Sequence, residues 1–82
     1  MVVDVTLLCK NELAGVIIDR FGTDVLLTPK NGTHFTARVQ VSASKQFFGW
    51  IFGLGEGIEI IEPESVVNEM KKQVQRLADQ FL

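Results

Sequence analysis

The stretch FFGWIFGLGEGIEIIEP, Phe47 to Pro63, decides the fold. It opens on Phe47, Phe48, Trp50 and Phe52, four of the seven aromatic residues in the chain. Phe47, Ile51 and Leu54 share one side of a helix, because residues three and four apart are neighbours there. Phe48 and Phe52 share the adjacent side, and Trp50 lies about 100° or more from the centre of either pair. One helix face on a small sheet has no room for all six. The helix therefore fills a core and also meets something further, either the last helix of this chain or a partner. Gly53, Gly55 and Gly57 then break the helix, Ile58 to Ile61 runs as a short strand, and Pro63 starts another helix. The run GLGEG is similar to a phosphate-binding loop, but it follows a helix and lacks the Gly-Lys-Ser/Thr ending. It reads as a turn.

Upstream, Val3, Val5, Leu7 and Cys9 alternate with Asp4, Thr6 and Lys10, the pattern of a strand with one buried face. Asn11 precedes Glu12-Leu13-Ala14 and suits an N-cap followed by an acid at the positive helix end. Leu13, Val16, Ile17 and Phe21 fall at helical spacing, and Gly22 stands at the C-cap position. Gly15 inside this helix suggests close packing on a sheet. A second strand covers Thr23 to Thr28, with Val25 and Leu27 on one side. Pro29-Lys30-Asn31-Gly32 is a turn of the kind where Asn-Gly takes positive φ. In the third strand, Thr33 to Val41, Phe35, Ala37, Val39 and Val41 oppose His34, Thr36, Arg38 and Gln40. Ser42 and Ser44 both offer caps for a helix from about Ala43 to Phe52. After Pro63, Val66, Met70, Val74, Leu77 and Phe81 form one apolar stripe.

The order is β-α-β-β-α-β-α. This is an α+β fold: a ferredoxin-like β-α-β-β-α-β sandwich, with a four-stranded antiparallel sheet, two helices on one face and an added C-terminal helix. At 82 residues it reads as a single domain, residues 1–82. A core this small often leans on a partner. Met1 leads directly into a strand, which suits an excised module as well as a native start.

Net charge is −2, from 8 basic and 10 acidic residues, against a strongly basic nucleic-acid binder. The open sheet face carries Asp4, Thr6, Thr36, Arg38 and Gln40 and no aromatic platform, so base stacking is not expected there. The lone Cys9 allows no internal disulfide and reads as a buried thiol in an intracellular setting. His34 lies on the polar face with no evident nucleophile or orienting acid beside it. Glu56, Glu59, Glu62 and Glu64 flank a strand and a helix start, where solvation and the helix dipole account for them. No spacing suggests a metal site, and no apolar run approaches the ~20 residues of a membrane span. No catalytic residue, metal or cofactor is expected. Candidate contact residues are Phe48, Trp50 and Phe52 on the aromatic helix, and Arg38 and Gln40 on the open sheet face.

The pattern Trp50-Ile51-Phe52-Gly53-Leu54-Gly55, followed by Ile58-Glu59-Ile60-Ile61-Glu62-Pro63-Glu64-Ser65-Val66, resembles the C-terminal end of WYL-domain transcriptional regulators. That end is their C-terminal extension, WCX, and the upstream strand, helix and hairpin fit it too. The resemblance implies a non-enzymatic, cytoplasmic C-terminal module of a longer bacterial regulator. Such regulators carry a winged helix-turn-helix and an Sm-like WYL domain ahead of the extension, and neither lies within these residues. DNA contact would come only through that helix-turn-helix. The resemblance further implies self-association, contact with the other domains of the same regulator, and help in sensing an effector. The alternative is an ACT-like small-molecule-binding module, which shares the β-α-β-β-α-β order.

Overall fold

In the computed structural model, which describes residues Val2–Leu82, one antiparallel sheet has the order β2-β3-β1-β4. Its strands are β1 (Val2–Lys10), β2 (Leu26–Pro29), β3 (His34–Ser42) and β4 (Ile58–Glu62). The helices are α1 (Ala14–Phe21), α2 (Lys45–Gly53) and α3 (Glu64–Phe81). Short 3-10 turns occupy Asn11–Leu13 and Gly55–Gly57. The arrangement is the expected α+β, ferredoxin-like sheet with an added C-terminal helix.

The register explains the core. Along β1 and β3, Val5 faces Val39, Leu7 faces Ala37 and Cys9 faces Phe35. Every one of these side chains is buried. Strict alternation puts them all on one face of the sheet. Ile58 and Ile60 of β4 extend that face, and Ile17, Phe47, Phe48 and Ile51 cover it from α1 and α2. Val66 at the start of α3 completes the cluster. A bulge offsets β4, where Ile60 faces Leu7 but Glu62 faces Thr6. Ile61 is the unmatched residue.

Several local expectations change, the start of β2 below among them. Asn11 does not cap α1: its side-chain amide donates to Gly32 O at 3.2 Å and its backbone N–H to Thr33 O at 2.9 Å. The asparagine clasps the β2–β3 hairpin instead. At the hairpin tip no non-glycine residue has positive φ. Asn31 works through its side chain, whose Oδ1 accepts from Thr33 N (2.8 Å) and His34 N (2.9 Å). This is the asparagine turn chemistry that competes with an Asn-Gly left-handed turn. Gly15 is exposed with open space around it, so no close helix–sheet approach depends on it. Pro63 is the N-cap of α3 rather than its first helical residue, and its carbonyl accepts from Val66 and Val67 N–H at 3.0 Å.

Other signals hold. Gly22 ends α1 with φ 93° and donates its N–H to Ile18 O at 2.7 Å. A turn at Thr23–Asp24 follows, so β2 starts at Leu26 rather than Thr23. Ser44 caps α2, its hydroxyl accepting from Phe47 N–H at 3.3 Å. Gly55 takes φ 73° in the turn into β4, a conformation that side chains with a Cβ resist.

Leu7 and Ile17 are fully buried, so Leu7→Ala should destabilise the fold by about 2–5 kcal/mol. Val2→Ala, at the exposed end of the same strand, should stay within about 0.5 kcal/mol. Urea denaturation measures both. Burial also pushes the Cys9 thiol up from 9.0 to about 11. The folded state then holds the proton more tightly than the unfolded chain. Stability from this group is full below pH 9 and is lost as pH rises through about 11. Alkylation of Cys9 at neutral pH should therefore track global unfolding, and Cys9→Ala should flatten the alkaline limb of the stability profile.

Candidate protein interface

The α2 aromatics divide by helical phase. Phe47, Phe48 and Ile51 point into the core, with Phe47 and Phe48 centroids 5.6 Å apart. Phe48 is only 3% exposed. It is a core residue and leaves the set of surface contacts. Trp50 sits at the side of α2 facing α1. Its ring meets Phe21 edge-on at 5.6 Å and stacks on Phe47 at 6.4 Å. The Arg20 guanidinium lies 5.4 Å from the same ring. Trp50 thus closes the gap between α1 and α2 and remains partly exposed. Such aromatic pairs add about 0.5–1.5 kcal/mol beyond burial.

Phe52 points the other way, toward α3, and is 41% exposed. There it borders a groove of about 540 Å³ between the end of α2, β4 and the first half of α3. Ile51, Ile58, Ile60, Val67 and Met70 give the groove an apolar lining, and Glu59 and Lys71 add charge. Val67, Met70 and Lys71 were not singled out from the sequence as contact residues. Of the three, only Met70 belongs to the apolar stripe read along α3, which continues past the groove; Val67 and Lys71 lie off it.

Beyond Met70, α3 is mostly exposed, with Gln73, Leu77 and Ala78 partly covered. Val74 is 48% exposed and Phe81 73% exposed. The polar side of this segment is braced along the helix: Lys72 to Glu69 at 3.2 Å, Gln75 to Asp79 at 2.8 Å and Arg76 to Gln80 at 3.0 Å. Contacts at these spacings support a helix that little else covers.

Arg38 and Gln40 are exposed on β3, on the face away from α1 and α2. Arg38 reaches Asp4 at 3.8 Å with both side chains in solvent, a pairing that contributes little to stability. The structure does not bring Arg38 and Gln40 together with Trp50 or Phe52 into one site. They lie on opposite sides of the sheet.

His34 and Cys9 are also kept apart. Cys9 is buried beneath the helices, whereas His34 stands across from Lys10 at the other surface. Thr33 donates its hydroxyl to Asn31 Oδ1 at 2.9 Å, and the same hydroxyl oxygen lies 2.7 Å from His34 Nδ1, within hydrogen-bond distance. Among the described residues, no group of three or more His, Cys, Asp or Glu side chains could hold a metal ion. No helix among them is long and apolar enough to cross a membrane.

No curated protein matches the chain. The family model described as the WCX domain matches residues 1–78, which takes in the central sheet, both covering helices, and α3 past its last groove residue. That span includes the Trp50–Val66 pattern on which the resemblance rested, and the chain belongs to the WCX domain family.

Proposed function

We propose that this domain is the non-enzymatic C-terminal regulatory module of a longer bacterial WYL-type transcriptional regulator. It relays an effector signal to a DNA-binding domain elsewhere in that protein and associates with a second copy of itself. Membership of the WCX family carries the regulatory part of this reading. The exposed stripe of α3 and the groove beside it support the contact part. Large apolar side chains held in water along one helix face mark a surface meant for another surface. Trp50 and Phe52 serve two different boundaries here, Trp50 between α1 and α2 and Phe52 at the groove.

The test is made in the regulator encoded by the same reading frame. Phe52→Glu adds charge at the groove while leaving the buried α2 residues in place. Effector-dependent output from a reporter promoter should fall several-fold at unchanged protein level. An unaltered response with both Phe52→Glu and Trp50→Ala would contradict a relay through α2.

A second reading, an ACT-like metabolite-binding module, draws on the size of the groove. At about 540 Å³ it lies in the range of small-molecule sites, roughly 300–1,000 Å³. A thermal-shift panel of amino acids and nucleotides separates the two. A saturable shift abolished by Met70→Asp favours the metabolite site, and flat melting curves favour the relay.

A further inference from the structure

Val67, Met70, Val74, Leu77 and Phe81 follow one another at spacings of 3, 4, 3 and 4 residues. That is the a/d seam of a two-stranded coiled coil, a narrower stripe than a helix lying on a sheet requires. The first two of these residues pack against the domain core and line the groove. Val74 and Phe81 have no such cover. Groove and bare seam thus lie on the same helix face, one after the other. That placement is self-complementary about a two-fold axis, where a single patch meets its own copy.

We propose that α3 pairs antiparallel with α3 of a second copy of this chain, about an axis passing between Val74 and Leu77. This rests on the self-association read above and specifies its surface. Val74 then packs on the partner's Leu77, and Phe81 seats beside the partner's Met70 at the mouth of the partner's groove. Each chain fills the other's groove with an aromatic anchor, against a thioether that suits such contacts.

Charge selects this register. The flanking positions are Lys71, Gln73, Ala78 and Gln80. With the axis between Val74 and Leu77, Lys71 faces the partner's Ala78 and Gln73 faces the partner's Gln80, so no like charges meet. Sliding the axis to near residue 72 would set the two Lys71 side chains against each other. A parallel pair would bring Val67 and Met70 of both chains together, although both already pack on their own cores. Two helices paired over about two heptads bury less than an obligate dimer does. The expected Kd is on the order of micromolar.

Sedimentation of the intact chain tests the pairing. The unmodified chain should dimerise at micromolar concentration. Val74→Lys and Phe81→Asp should each weaken the dimer on the order of 100-fold, because each substitution enters the interface twice. Both sites are exposed, so thermal midpoints measured on the dilute monomer should be unchanged. For the register, a mixture of Val74→Cys and Leu77→Cys chains should cross-link faster than either alone, with the buried Cys9 a bystander. A dimer that survives both charge variants overturns the α3 seam and leaves self-association through another surface. A monomer at every concentration overturns the seam and self-association together. Equal cross-linking in the mixture and the single variants overturns the register.

Discussion

The pairing of β1 with β3 is the constraint on which the rest depends. Nine consecutive residues of each strand are in register, from Val2 opposite Ser42 to Lys10 opposite His34. A slip of one residue would turn Val5, Leu7 and Cys9 out to solvent and bring Asp4 and Thr6 inward. The apolar side chains on one face leave the chain a single acceptable register. The hairpin then adds β2 outside β3, and β4 returns on the far side of β1. With the helices on one face only, the other face stays largely polar, although Val2, Leu8 and Leu26 also lie on it, and among the described residues its one ion pair is a solvent-exposed contact of little energetic consequence.

That economy sets a limit on what the domain can bury. α2 presents more apolar surface than the sheet can take, so three of its side chains enter the core and Trp50 and Phe52 spread to either side. α1 meets the tryptophan through Phe21 and Arg20. α3 reaches Phe52 only with its first turns and then continues into solvent. A helix anchored by Val66 at one end and bare at Val74 and Phe81 belongs to the core at its start and to a surface at its end. On the proposed reading, a contact at that bare end bears on the same groove that β4 and α2 build, which is how an event at the partner would be felt inside this domain.

Much of this was legible in the residues. Alternation in β1 and β3 gave the buried face side chain by side chain, and Gly22 and Ser44 marked helix boundaries by their backbone and capping chemistry. What periodicity cannot settle is how a shared helix divides its apolar residues. Phe48 and Phe52 lie four apart and look equivalent, yet Phe48 is buried and Phe52 borders the groove formed with β4 and α3. Long-range polar partners are equally silent in sequence. Asn11 looked like a helix cap because its acceptor, Gly32 O, lies 21 residues away. The groove is silent in the sequence because it needs three elements at once, although the apolar stripe from Met70 to Phe81 is legible.

The dual character of α3 is the central claim, and hydrogen exchange read along the helix tests it most directly. Amides of residues 74–81 should exchange fast in dilute solution and slow as concentration rises through the micromolar range, while those of β1 and β3 stay equally protected throughout. Exchange in residues 74–81 that is slow at every dilution, or fast at every concentration, would contradict an α3 that is core at one end and partner surface at the other.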